Sequence, residues 1–348
     1  MIHSSLRTIE WKDNSVIMID QTKLPSKLEF VKFTDFNDVA NAIKTLVVRG
    51  APAIGVSGAF GLALASIKSA AKTKDELLSD LKNAYKILFE TRPTAVNLVW
   101  ALDKIITVAR EGNDVAEIKN SIVEAAKKMA EDDVKTNMTM GKHGSELFNE
   151  NDTIMTHCNA GALATVAYGT ALGVIRATIE SGKNIKVIAT ETRPVQQGSR
   201  LTAFELKHDG IDVDLIPDTA VGYVMANGLV NKVVVGADRI LRTGHVFNKI
   251  GTYQIATMAK QHNIPFYIAA PLSTFDLKSN PKDVIIEQRN PAEVTTIGDK
   301  KTAPDDVGVI NPAFDMTPPE LITGIITEVG VARPPYEESI KKLFKANK

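Results

Sequence analysis

The chain has a single cysteine, Cys158, in 348 residues. No disulfide can form within it, which excludes a disulfide-stapled scaffold and fits a reducing, cytoplasmic setting. It also lacks a charge excess, with 41 basic residues against 41 acidic ones. That balance gives no electrostatic footprint for DNA or RNA, so no nucleic-acid partner is expected. Long apolar runs are missing too. Residues 50–67 are uncharged but rich in alanine and glycine, with Pro52 near the start. Residues 153–175 contain His157, Asn159 and four threonines. A spanning helix needs about 20 predominantly apolar residues, so both stretches are expected as buried small-residue helices and no membrane segment is expected. The first residues, Met1 to Arg7, do not show the basic-then-apolar order of a signal peptide.

Metal and cofactor signatures are absent as well. His157 and Cys158 are adjacent and alternate faces, and no set of His, Cys, Asp and Glu has ligand spacing, so no metal is expected. Gly55, Gly58 and Gly61 recur at three positions. This is neither a dinucleotide-binding fingerprint nor a Walker loop, and no cofactor is expected. Three glycines in that spacing strip one face of a helix, so that another backbone can pack against it.

Apolar residues make up 44% of the chain, an ordinary value for a globular fold. Residues 5–33 alternate polar and apolar, with short strands at 16–19 and 28–33 and a turn over 12–15. From residue 36 to about 144 apolar residues recur at three and four positions, which predicts helices over 75–89, 96–108 and 118–129. Pro93 is placed at the first turn of one of them. After Asn151 the rhythm changes. Strands at 153–157, 185–190, 212–216, 232–235 and 265–269 alternate with helices at roughly 161–181, 196–208, 219–229 and 248–262. That alternation predicts an α/β fold: a C-terminal Rossmann-like parallel sheet flanked by helices, preceded by a mainly helical N-terminal domain with a small β-sheet. The boundary falls at a linker near 142–151, giving domains 1–144 and 145–348. Residues 336–348 form a charged, helix-like tail.

In such sheets ligands bind outside the carboxyl ends of the strands. Cys158 follows the first strand. Glu191, Arg193, Gln196, Gln197 and Arg200 follow the second, and Gly236-Ala237-Asp238-Arg239 follow the fourth. Each has a structural explanation on its own. A lone cysteine is often a small buried hydrophobe, Glu191 or Asp238 could cap a helix, and Asp218 is expected to cap the helix that starts near Thr219. Their convergence on one edge is the informative feature. Gly236 and Ala237 would let a ligand approach the backbone, and Asp238 is a candidate acid or base. Asn248 and Lys249 are placed at a helix N-terminus, where an anion such as phosphate is favoured. Arg49, before the glycine-faced helix, and Arg92, before Pro93, are further phosphate candidates.

Five segments taken together resemble one family. They are Arg49-Gly50-Ala51-Pro52-Ala53-Ile54-Gly55, Thr91-Arg92-Pro93-Thr94-Ala95-Val96-Asn97, His157-Cys158-Asn159-Ala160-Gly161, Glu191-Thr192-Arg193-Pro194-Val195-Gln196-Gln197-Gly198, and Gly236-Ala237-Asp238-Arg239 with Asn248-Lys249. In order and spacing, over essentially the whole chain, they are similar to the methylthioribose-1-phosphate isomerases. The wider superfamily includes ribose-1,5-bisphosphate isomerases and noncatalytic regulatory subunits of an initiation-factor exchange complex. The resemblance implies an intramolecular aldose–ketose isomerase of methionine salvage, acting on a phosphorylated sugar without a cofactor. It implies Cys158 and Asp238 as the catalytic pair. It implies substrate contacts at Arg49, Gly50, Ala51, Arg92, Gln197, Asn248 and Lys249, with Gln196 able to exchange roles with Gln197. A homodimer is implied by the resemblance and suggested by the glycine-faced helix. Two tunings are expected: a helix N-terminus behind Cys158 lowering the thiol's pKa, and burial raising that of Asp238.

Overall fold

The structure, a computed structural model, describes residues 6–346. Residues 1–5, read above for a signal peptide, and the last two residues of the tail lie outside the described residues. Strands β1 (Ile9–Lys12) and β2 (Ser15–Ile19) form a hairpin, joined by β3 (Phe30–Phe33) in an antiparallel sheet. The turn residues Asp13 and Asn14 both take left-handed φ, 49° and 52°, as a two-residue hairpin turn of matching twist requires.

Five helices follow: α1 (Phe36–Lys44), α2 (Ala51–Lys68), α3 (Lys74–Thr91), α4 (Val96–Glu111) and α5 (Val115–Ser145). Asp35 caps α1, and Thr73 with Glu76 forms a capping box on α3. Helix α2 is long and apolar enough to cross a membrane by composition, yet 83% of it is buried inside the fold. It is the axis of the N-terminal core. Its glycines serve packing within the chain: a Cβ on Gly55 would come within 2.9 Å of the Asn97 carbonyl oxygen, and one on Gly58 would meet Leu98. The glycine face is therefore occupied by α4 and does not carry a dimer contact. Pro93 is not in a helix. Residues preceding proline avoid the helical region; Arg92 accordingly leaves it (φ −150°, ψ 71°), and α4 starts only at Val96.

The second half contains β4 (Thr153–Thr156), α6 (Ala171–Glu180), β5 (Lys186–Thr190), α7 (Ala203–His208), β6 (Val213–Ile216), α8 (Val221–Ala226) and β7 (Lys232–Val235). Then come β8 (Arg239–Leu241), β9 (Val246–Lys249), α9 (Thr252–Gln261), β10 (Phe266–Ala269) and β11 (Phe275–Asp276). The chain ends with α10 (Ala292–Thr295), β12 (Thr296–Ile297), β13 (Lys300–Lys301), β14 (Phe314–Thr317), β15 (Gly324–Thr327), β16 (Gly330–Ala332) and α11 (Tyr336–Ala346). One mixed sheet runs β16-β15-β10-β7-β4-β5-β6, with β16 antiparallel and the rest parallel. The chain builds outward from β4 on one side through β5 and β6, then returns to the other side at β7. That reversal leaves a crevice at the carboxyl ends of β4 and β7, where open α/β sheets bind ligands. A smaller sheet, β11-β8-β9-β14, stands beside it.

Four expected elements differ. No α-helix starts directly behind Cys158, where only a single 3-10 turn, Ala162–Ala164, forms, and residues 153–175 are strand, loop and helix rather than one buried helix. Residues 159–170 form a loop in which Gly161 and Gly169 approach each other closely, and Tyr168 and Gly169 take positive φ, so α6 begins only at Ala171. The helix expected from 248 begins at Thr252, and Asn248 and Lys249 lie on β9, paired with β14. The helix expected over 196–208 opens with a wide turn, Gly198–Thr202, where any Cβ on Gly198 would run into the Thr190 carbonyl. The expected linker at 142–151 begins inside α5, which runs to Ser145 and packs on α6.

Candidate active site

A cavity of about 220 Å³ opens at the carboxyl ends of β4 and β7, and Arg49, Gly50, Ala51, Arg92, Cys158, Gln197, Asp238, Asn248 and Lys249 all line it. The nine residues named from sequence thus converge from six separate stretches of chain. Gln196 does not line the cavity and Gln197 does. Gln196 takes a left-handed φ of 59°, and the turn it makes aims its neighbour inward.

Cys158 occupies the residue position at which the chain leaves the sheet. Its φ is 60°, a conformation that holds roughly 1–3 kcal/mol of strain in a non-glycine residue. Two threonines fix it there: the Cys158 N–H donates to Thr192 Oγ1 (2.9 Å), and Thr202 Oγ1 donates to the Cys158 carbonyl (2.6 Å). The preceding residue, His157, is buried and neutral. Its Nε2 lies 2.9 Å from the Ile250 carbonyl, which can only accept, so Nε2 carries the proton and Nδ1 accepts from Thr190 Oγ1. Burial pushes its pKa down, in keeping with that state. His157 is therefore a strut between β4, β5 and the loop before α9, and not a metal ligand.

Three cations face the cavity without a carboxylate partner among the described residues: Arg49, Arg200 and Lys249. Arg49 donates to both the side-chain and main-chain oxygens of Asn159, at 2.8 and 2.7 Å. Asn159 is itself oriented by Glu205, whose other oxygen accepts the Ala162 N–H. Glu205 in turn pairs with the fully buried Arg176, which also holds Asp209. Removing one partner of such a buried network costs on the order of 3–5 kcal/mol, so the Arg49 guanidinium is backed by a rigid chain of charges. Arg200 reaches the carbonyls of Gln21, Thr22 and Leu24, and burial together with proximity to Arg49 lowers its pKa. Lys249 stands on β9 with its ammonium 4.9 Å from the Phe314 ring. Gln197 is 7% exposed, and its Oε1 has no hydrogen-bond partner. Lone polar atoms of this kind in a cavity wall are ready to meet a ligand.

Asp238 and Arg92 line the same cavity. Arg92 gives one nitrogen to Glu287 at 3.3 Å, while its buried Nε is unpartnered. Burial dominates the electrostatics throughout. It pushes the Cys158 thiol up, against the pull of Arg49 and Lys249. It pushes Asp238 up, against Lys249, Arg92 and Arg49, and Lys249 down, against Cys158 and Asp238. All three drift toward their neutral forms, as buried groups do. The expected rise of Asp238 is present. The expected lowering of Cys158 is not, because burial outweighs the pull of Arg49 and Lys249 and no α-helix begins behind it.

Other sequence candidates sit elsewhere. Glu191 and Arg193 are outside the cavity lining, and the Arg193 side chain bonds to the Pro194 and Val294 carbonyls. Asp218 does not cap α8; its carboxylate accepts the N–H groups of Thr192 and Arg193 and so shapes the loop behind Cys158. Gly236 and Ala237 do line the cavity, and the missing Cβ of Gly236 also makes room for Ala160. The N-terminus of α9, expected to hold phosphate beside Asn248, is filled by Asp315, which accepts from Gly251 and Tyr253. Arg200 and Arg289 line the cavity but are not among the implied substrate contacts. The sequence places Arg200 only among the groups that follow the second strand. Arg289 lies in an irregular excursion between β11 and β14 and carries no sequence signal.

Comparison with known proteins gives four results. The model of the initiation factor 2 subunit family matches residues 47–334. A protein of Carboxydothermus hydrogenoformans, described as a methylthioribose-1-phosphate isomerase, is 53% identical over 97% of this chain and 98% of its own length. The crystal structure of a 5-methylthioribose 1-phosphate isomerase from Pyrococcus horikoshii OT3 superposes with a TM-score of 0.92 at 48% identity, covering 99% of this chain and 98% of that one. A structure from A. fulgidus described as translation initiation factor eIF-2B, subunit delta, gives a TM-score of 0.88 at 52% identity, over 98% of this chain and 100% of that one.

Proposed function

We propose, for a chain that belongs to the initiation factor 2 subunit family and within it to the methylthioribose-1-phosphate isomerases, that it converts the aldose 5-methylthioribose 1-phosphate into the ketose 5-methylthioribulose 1-phosphate. The observation that carries this reading is a single cavity lined by a thiol, a carboxyl group and three cations that no carboxylate among the described residues pairs with. The phosphate blocks the anomeric oxygen, so the ring cannot open to a free aldehyde. An acid must protonate the ring oxygen as its bond to C1 breaks, and a base must then move hydrogen from C2 to C1.

In the proposed roles Arg49, Arg200 and Lys249 hold the C1 phosphate. Gly50, Ala51, Gln197, Asn248 and Arg92 line the sugar, and the Arg92 Nε is free to donate to it. Asp238, protonated, gives its proton to the ring oxygen, and the C1–O pair leaves on that oxygen. The Cys158 thiolate takes the C2 hydrogen, and its electrons form the C1=C2 bond of an enol phosphate. Asp238 then takes the C2 hydroxyl proton while Cys158 returns hydrogen to C1, and both groups end as they began. With both pKa values raised, the pair shares one proton between pH limits, and the working form has it on oxygen rather than sulfur. Fixing the sugar against such a pair can supply roughly 7–11 kcal/mol of barrier reduction.

Support for a Rossmann-like C-terminal catalytic domain, 145–348, comes from the strand order and from a core built within residues 155–343, although smaller clusters such as Leu6, Ile19 and Leu24 with Ala162, Leu163 and Leu201 join the two halves. A cytoplasmic homodimer is proposed on the family resemblance. A coupled turnover assay tests the function: purified protein with 5-methylthioribose 1-phosphate is expected to yield the ketose at rates ordinary for an enzyme, about 1–10³ per second. No turnover, with binding to a larger protein assembly instead, would assign the chain to the regulatory subunits.

A further inference from the structure

The Arg49 guanidinium is held by an amide rather than by a carboxylate. Its Nη1 donates to Asn159 Oδ1 at 2.8 Å and its Nη2 to the Asn159 carbonyl at 2.7 Å. The other end of that amide is engaged as well: Nδ2 donates to Glu205 Oε1 at 2.5 Å and to Thr202 Oγ1 at 3.2 Å. A guanidinium can only donate and an ionised carboxylate can only accept, so one orientation of the Asn159 amide satisfies both neighbours. Asn159 is buried, and the Glu205 side chain behind it is fully buried against Arg176. Two glycines permit this close approach. A Cβ on Gly161 would run into the Glu205 carboxylate, and one on Gly50, next to Arg49, would run into Ala164. Residues 159–164 are thus wedged between Arg49-Gly50 on one side and Glu205 on the other.

An aspartate at position 159 would have the same shape and would also accept from Arg49. It would do so as an ion pair, opposing the charge that an anionic ligand needs, and it would set a second negative charge against Glu205. Asparagine supplies the directional bonds without the opposing charge. We infer that Asn159 is a positioning residue for the anion site: it aims the Arg49 guanidinium at the cavity and leaves that cation without an ion pair. This rests on the reading of Arg49 as a phosphate anchor and deepens it. Asn159 lines the cavity itself, but both hydrogens of its amide are committed to Glu205 and Thr202. Its part is therefore played through Arg49 and not by donating to a ligand.

Binding of inorganic phosphate to the full-length protein, measured by isothermal titration calorimetry, tests this without turnover. Arg49→Ala is expected to weaken phosphate by about tenfold or more, the loss of a charged donor. Asn159→Ala, which keeps the main-chain contact to Arg49, is expected to weaken it by about three- to tenfold. Asn159→Asp, which keeps both contacts but adds the charge, is expected to weaken it by about tenfold or more. The double variant Arg49→Ala/Asn159→Ala is expected to bind no more than about twofold worse than Arg49→Ala alone, because the amide acts through the guanidinium. A residue that merely held the loop would instead weaken phosphate by the same factor in both backgrounds. Thermal melts show that each variant is folded, and Asn159→Ser, whose hydroxyl can still bond a neighbour, replaces the alanine variant if that one is not. Additive losses, an aspartate variant that binds phosphate as tightly as the parent, or a parent that binds no phosphate each overturn the inference. A parent that binds phosphate in the expected pattern but turns over no sugar would overturn the isomerase reading and leave this one standing.

Discussion

Cys158→Ser is expected to fold as the parent does and to lose about 10³-fold or more in kcat, the upper part of the range for removing a general acid or base. The fold survives because the residue is pinned through its backbone, by Thr192 and Thr202, and no hydrogen bond to its sulfur is needed to hold it. Serine keeps the size and can adopt the same left-handed φ. What it loses is acidity: the thiol, even with its pKa raised by burial, ionises far more readily than an alkyl hydroxyl. Steady-state kinetics beside circular dichroism and a thermal melt separate the two effects. Near-parental kcat in a folded variant would remove Cys158 from the mechanism.

Asp238→Asn is expected to cost kcat by a similar factor, about 10²–10⁴, with KM little changed. Asparagine preserves shape but carries no transferable proton. The pH profile supplies the finer signature. In the parent, kcat/KM falls below the Asp238 pKa, where both groups are protonated and no base remains. It falls again above the Cys158 pKa, where both are ionised and no acid remains. Burial raises both limits, so the acid limb lies above the ordinary carboxyl value of 3.8 and the alkaline limb above the ordinary thiol value of 9.0. In the Asp238→Asn variant the alkaline limb disappears and the acid limb moves up to the thiol's pKa, so that residual activity rises with pH until the thiol has ionised. An unshifted acid limb in that variant would assign it to another group, with Asp315, whose pKa is pushed up to about 6, the nearest candidate.

Much of this site was legible in the sequence because its residues follow strands. Strand ends are set by hydrophobic runs, and right-handed crossovers place those ends on one edge. Cys158 after β4 and Asp238 after β7 could therefore be brought together without coordinates. Loop geometry was not legible. The segment after Cys158 has the composition of a helix start, yet Gly161 and Gly169 close it into a loop through contacts 8 residues apart that no periodicity reports. Lys249 was placed on a helix because β9 is only 4 residues long and its partner, β14, lies far along the chain. The expected lowering of the thiol's pKa failed because burial outweighs the pull of Arg49 and Lys249 and no α-helix begins behind Cys158. Arg289 and Glu287 come from a stretch with little regular structure, and only tertiary contact with Arg92 gives them meaning.

The central claim is that a sulfur atom carries the migrating hydrogen as a proton. 5-Methylthioribose 1-phosphate labelled with deuterium at C2, turned over in ordinary water and read by proton NMR at C1 of the product, tests it directly. Transfer through a half-buried thiol open to the cavity predicts that solvent hydrogen replaces part of the label. Full retention of deuterium at C1 in every product molecule would point to a direct hydride shift and contradict the account.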